Sequence, residues 1–131
     1  MIWDIMQKWS RCRDRMLEAI ECTQGTHDED AVLCQLFTRQ MLLWQSGESG
    51  LITEITSFPK MKVLNVFMVA GKASELPELY DQVRAHAIAS GCVRLTGLST
   101  PTSSGICRDA GWKILCPKSH ILGTAMYEDL I

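Results

Sequence analysis

No stretch of the chain approaches the roughly 18 consecutive apolar residues that cross a bilayer, so a membrane span is not expected. The opening residues, MIWDIMQKWSRCRDRM, carry charge in every turn. That rules against a secretory signal, whose central region is apolar. Neither charge sign dominates: the formal net charge is −2. No general attraction to nucleic acid or to an anionic lipid surface follows from that balance. None of the six cysteines stands two residues from another, and no histidine sits at zinc-finger spacing from any of them. Zinc is therefore not indicated. The six read as reduced thiols in a reducing compartment, serving as small apolar residues. His27, His86 and His120 are isolated and read as surface or internally satisfied side chains. Internal repeats, low-complexity segments and linkers are missing as well.

What is present suits one globular domain. The chain has 131 residues, 47% of them hydrophobic and 21% charged, with only four prolines. That length buries a core without disulfide staples. Residues 3–22 place Trp3, Met6, Trp9, Met16 and Ile20 at helical spacing, with Lys8, Arg11, Arg15 and Glu18 on the other faces. This predicts an amphipathic helix with its apolar stripe toward the core. Its two tryptophans also suit a docking surface. Asp28, Glu29 and Asp30 then suit the start of a second, shorter helix through Val32, Leu36 and Phe37. The spacing of a calcium loop is absent from this acid triplet.

Three strand-like runs follow. Residues 39–46 reach a glycine-containing turn at 47–50. Residues 51–58 alternate, with Leu51, Thr53 and Ile55 on one face and Ile52, Glu54 and Thr56 on the other. Residues 63–71, VLNVFMVAG, are almost continuously apolar, as in a strand covered on both faces. Residues 73–90 read as a helix with Ser74 as cap, Pro77 in the first turn and Gly91 as its stop. A strand at 92–98 makes this a crossover unit, so strands 63–71 and 92–98 are expected to be parallel. A short helix near residues 103–111 and two strands, at 112–116 and 120–130, close the chain. The expected class is α/β, a mixed central sheet flanked by helices in the order α-α-β-β-β-α-β-α-β-β.

This order, together with the stretches MLLWQSGESGLITEITSFPKMKVLNVFMVAGKASELPELYDQVRAHAIASGC and DAGWKIL, resembles the GNAT acyltransferase superfamily over residues 28–131. The likeness is closest to small GNAT-like proteins of tailed phages, and residues 1–27 fall where family members vary most. The whole chain then reads as a single GNAT-like domain. The resemblance implies a site where the two parallel strands splay apart. The open backbone of strand 63–71, near Val69, would pair with the pantetheine arm of acetyl-CoA. The helix that follows would aim its N-terminus at the pyrophosphate.

The superfamily grips that pyrophosphate with an R/Q-x-x-G-x-G/A turn. Here the turn is VAGKASEL, which offers Gly71, Lys72 and Ser74 but only one glycine. Lys72 is placed to touch a phosphate; the plainer reading is a turn lysine facing solvent. The tyrosine that family members carry four residues before Gly111 is Cys107 here, which reads more simply as a structural thiol. Glu54 is the one carboxylate placed as a base, and its plainer reading is an exposed strand glutamate. The loop LSTPTSSG after the second parallel strand offers hydroxyls and nothing that titrates.

The expectation is a phage-encoded GNAT-like protein with degenerate catalytic motifs and no cofactor. It would serve as a structural, assembly or interaction subunit of the virion and be found there or in the host cytoplasm. Its contacts, with other phage structural proteins or with itself, would run through Trp3, Trp9 and the C-terminal strand. The alternative is an active acetyl-CoA-dependent N-acyltransferase. No metal site is expected.

Overall fold

A computed structural model describes residues 2–21, 25–72, 74–99, 113–116 and 125–130. Two helices, α1 (Ile2–Glu21) and α2 (Glu29–Phe37), precede three strands, β1 (Leu42–Ser46), β2 (Ser49–Ser57) and β3 (Lys62–Ala70). Helix α3 (Leu76–Ala89) crosses to β4 (Cys92–Ser99), and β5 (Lys113–Cys116) and β6 (Ala125–Leu130) follow. The expected short helix near 103–111 and the loop 100–105 lie outside the described residues. All six strands form one mixed sheet in the order β1-β2-β3-β4-β6-β5. The meander β1-β2-β3 is antiparallel and β3 and β4 are parallel, as strands joined by a helical crossover are. Strand β6 runs antiparallel to both β4 and β5.

Each face of the sheet has its own core. Helices α1 and α2 cover one face, where Trp9, Cys12, Met16, Val32 and Leu36 meet Ile52, Met68 and Ala70. Helix α3 covers the other, where Leu79, Val83 and Ala87 meet Leu51, Leu64, Val66 and Leu95. Each fully buried aliphatic side chain of this kind contributes about 1.5–3 kcal/mol. The caps agree with local chemistry. Asp28 caps α2, its Oδ1 accepting from the Ala31 N–H at 2.8 Å. Helix α3 stops at Gly91, whose φ of +84° suits a residue without Cβ.

Two expectations need correction. The buried line of α1 is Trp9, Cys12, Met16 and Ile20, whereas Trp3 is 69% and Met6 40% exposed. At 3.6 residues per turn, Trp3 lies about 120° around the axis from Trp9, and Ile5 packs in its stead. The cap of α3 is Glu75, not Ser74, and it makes no side-chain capping bond.

The alternation of β3 breaks at one point. Ile52 pairs with Met68, and the next residue, Thr53, pairs with Val66. Phe67 is thus the extra residue of a bulge. Leu64 and Val66 face α3, and beyond the bulge Met68 and Ala70 face α1. A bulge bends its strand and increases the local twist. Its consequence is visible on the other edge of β3. The parallel register with β4 runs from Lys62↔Cys92 to Val66↔Gly97 and ends there. The last four residues of β3 and the end of β4 have no register with each other, although β4 stays paired with β6 through Ser99.

Candidate functional site

The point where β3 and β4 part is the natural place for a ligand in such a sheet. Backbone N–H and C=O groups that leave a ladder must find another partner. Phe67 marks the spot. Its ring meets the His27 ring from the α1–α2 loop at 4.7 Å, with the planes tilted by 58°. Val69, half-buried, packs against the α3 core. Gly71 follows, with φ of +134°. A Cβ there would overlap Ser49 Oγ, so both the backbone angle and the space demand glycine.

Ser49 opens β2 and is fully buried. Its Oγ accepts from the Lys72 backbone N–H at 2.8 Å and donates to Glu75 Oε1 at 2.7 Å. The turn after β3 is thereby tied to the β1–β2 hairpin and to the start of α3. The Glu75 carboxylate packs over Gly47, in the hairpin turn. Next to it, Glu48 Oε2 lies 3.2 Å from Lys72 Nζ and 3.5 Å from Arg15 Nη2. Those two contacts, Lys72 first, hold the Glu48 carboxyl below its usual range.

This geometry tests whether the residues fit acetyl-CoA. The Lys72 N–H is already spent on Ser49, and the Lys72 ammonium is paired with Glu48. Glu75 caps α3 without a side-chain bond to its N–H groups; its carboxylate lies against Ser49 and Gly47 and adds negative charge beside the turn. An exposed helix N-terminus offers an anion only about 0.3–1 kcal/mol. With its N–H and its one cation engaged within the protein, the turn is a poor fit for a diphosphate. Val69, Gly71 and Lys72 are brought together at one end of β3, and Ser74 lies exposed just beyond.

Glu54 is elsewhere. It pairs with Asn65, six residues before Gly71, which is roughly 20 Å along the strand. It is therefore far from that turn but only one rung from the point where β3 and β4 part at Val66 and Gly97, and it is half-buried rather than exposed. Its Oε1 accepts from Asn65 Nδ2 at 3.2 Å, and Thr96 Oγ1 donates to Asn65 Oδ1 at 3.1 Å. Sequence reasoning passed over Asn65 and Thr96, although each interrupts an apolar strand run. It also missed Ser49 and Glu75, whose pairing over 26 positions leaves no local pattern. Cys107 lies outside the described residues.

The proposed contact residues separate as well. Trp9 is only 1% exposed, and its Nε1–H donates to Glu29 Oε1 at 3.0 Å. It is a core residue and not a docking surface, because its indole completes the α1–α2 contact. Strand β6 lies between β4 and β5. Its backbone is engaged on both sides, and the sheet edges are β1 and β5. Among the described residues, no helix is long and apolar enough to cross a membrane, and no three His, Cys, Asp or Glu side chains gather as metal ligands. No family model matches the chain, and none of the curated proteins compared with it is similar in sequence.

Proposed function

We propose that this chain is a GNAT-like domain of phage origin that keeps the acyltransferase sheet without the cofactor grip, and that it works as a structural, assembly or interaction subunit of the virion. The likeness to GNAT-like phage proteins rests on the sequence stretches above. The sheet order and the parallel β3–β4 pair are consistent with it. The observation that carries the non-enzymatic reading is the turn after β3, whose Lys72 N–H is held by Ser49 and whose Lys72 ammonium is paired with Glu48. A fold can be kept while its site is lost, because function belongs to sites. The exposed Trp3 and Met6 side of α1 is the contact surface in this reading. The experiment is quantitative mass spectrometry of purified particles. A fixed copy number per particle supports the reading, and recovery only from the soluble fraction of infected cells contradicts it.

The second reading is an acetyl-CoA-dependent N-acyltransferase. It is favoured by the end of the β3–β4 register at Val66 and Gly97, which leaves strand backbone open to a pantetheine arm. Detection of an acylated product by mass spectrometry after incubation with acetyl-CoA and an amine would select it.

A further inference from the structure

Leu64 and Leu95 face α3, so their strand neighbours Asn65 and Thr96 face the side of the sheet that carries α1 and α2. On that side, toward the Lys62 end of β3, lies a groove of about 650 Å³. The volume is within the roughly 300–1,000 Å³ of small-molecule sites. One rung of its floor is polar: Glu54, Asn65 and Thr96, side by side on β2, β3 and β4. Apolar side chains line it as well, Phe58 and Met61 from the turn before β3 and Val63 from β3 itself.

The polar rung leaves a defined pattern unused. Thr96 Oγ1 donates to Asn65 Oδ1 at 3.1 Å, and Asn65 Nδ2 donates to Glu54 Oε1 at 3.2 Å. The Asn65 amide thus has its oxygen toward β4 and its nitrogen toward β2. An amide nitrogen has two donors and a carboxylate about four acceptor sites, so each group keeps capacity after that bond. Among the described residues nothing else bonds to Glu54 or Asn65. Both are half-buried, and a ligand that covers them without bonding to them would bury unsatisfied polar atoms, which is costly.

Charge selects neither sign of ligand. Glu54 is the one carboxylate among the described lining residues; Lys60 is exposed there, and Arg94 has its own partner within the protein. An anion would meet Glu54, and a cation would meet Lys60 and Arg94. The selective feature is the hydrogen-bond pattern, one donor beside one acceptor on an apolar bed.

We infer that this groove binds a neutral ligand that presents a carboxamide edge on an apolar ring. The ligand N–H donates to Glu54, its C=O accepts from Asn65, and the ring lies against Phe58, Met61 and Val63. A primary carboxamide or a lactam carries N–H and C=O side by side on one edge. A trans peptide group carries them on opposite sides and cannot meet both. The edge matches a donor and an acceptor whose own atoms lie 3.2 Å apart. Neither Arg94 nor Lys60 takes part. The site does not involve the Lys72 turn and stands whether or not acetyl-CoA binds there.

The test is an amide-resolved NMR titration of the full chain with benzamide, acetophenone, benzoate and benzylamine. Benzamide should give saturable shifts at residues 54, 65 and 96 and along 58–63, over about 0.1–10 mM. Acetophenone has the same shape and carbonyl but no N–H for Glu54. It should bind about five- to tenfold more weakly, the loss of one hydrogen bond. Benzoate and benzylamine, each lacking half of the edge, should also bind more weakly than benzamide. Glu54→Leu should abolish the preference for benzamide over acetophenone. If that variant misfolds, the four probes on the unmodified protein still decide. Equal binding of benzamide and acetophenone would overturn the inference. So would binding of benzoate or benzylamine as tight as that of benzamide, absence of a saturable shift with benzamide, or shifts confined to residues 47–50 and 71–76.

Discussion

The backbone N–H of Lys72 and the Oγ of Ser49 lie 2.8 Å apart, joining the turn after β3 to the first residue of β2. The Ser49 hydroxyl donates in turn to Glu75 Oε1, so one buried side chain ties the hairpin, the turn and the start of α3 together.

Replacing Gly71 with alanine should unfold this corner. The new Cβ would overlap Ser49, and the backbone would be held at a φ of +134°. A cost above about 2 kcal/mol is expected. Ser49→Ala should cost less, about 1–3 kcal/mol, by leaving the Lys72 N–H unpaired. Denaturant unfolding with a constant slope measures both.

The two tryptophans of α1 should behave oppositely. Trp9→Ala removes a buried ring and its bond to Glu29, and about 3–5 kcal/mol should be lost. Trp3→Ala should change stability by less than about 0.5 kcal/mol. If the Trp3 side is the contact surface, the same change should lower the copy number in particles. Equal thermal shifts for the two variants would contradict the assignment of the α1 stripe.

That stripe shows how far the sequence could be read. The apolar spacing in α1 marked a helix but did not say which of Trp3 and Trp9 faces inward, because both lie within a broad apolar sector. Helix α3, with Leu79, Val83 and Ala87 on one side, carried a cleaner signal, and so did the antiparallel pair β2–β3. The bulge at Phe67 was hidden for a physical reason. VLNVFMVA is apolar at nearly every position, so a shift of one residue changes no polarity pattern. The site was less legible than the fold. Gly71 and Lys72 stood out as turn residues next to a helix. Ser49 and Glu75 did not, since serine and glutamate are ordinary in turns and only the folded chain brings them together. Asn65 and Thr96 were visible as polar breaks in apolar runs, but their bond needs the parallel register of β3 and β4.

Acid should weaken the α1–α2 contact. Arg13 donates to both carboxylate oxygens of Glu29, at 2.7 and 2.9 Å. The Arg13 bonds first, and the Trp9 bond second, hold the Glu29 carboxyl below its ordinary value of 4.5. A depressed folded-state pKa gives stability that is present above the unfolded value and lost as pH falls through the folded value. Stability should therefore decline as pH drops below about 4.5. Glu48, also depressed, acts in the same direction. Glu29→Gln should lower stability at neutral pH and flatten that acid limb, as read from thermal unfolding across a pH series. High salt should shrink the difference, because the Arg13 pair is partly exposed.

Thiol labelling should follow burial. Cys34 is exposed, whereas Cys12 and Cys92 are buried. Burial pushes the Cys12 thiol up to about 11 and also raises Cys92. The thiolate is the reactive form. Alkylation of the folded protein near pH 8, mapped by mass spectrometry, should modify Cys34 well before the other two. Similar rates at Cys12 and Cys34 would contradict the packing of α1 on the sheet.

Calorimetric titration of the intact protein with acetyl-CoA bears most directly on the closed turn. With Glu75 at the α3 start and the Lys72 N–H held by Ser49, no saturable heat is expected up to about millimolar ligand, a binding free energy near −4 kcal/mol. Micromolar binding that is lost on Lys72→Glu would contradict the account.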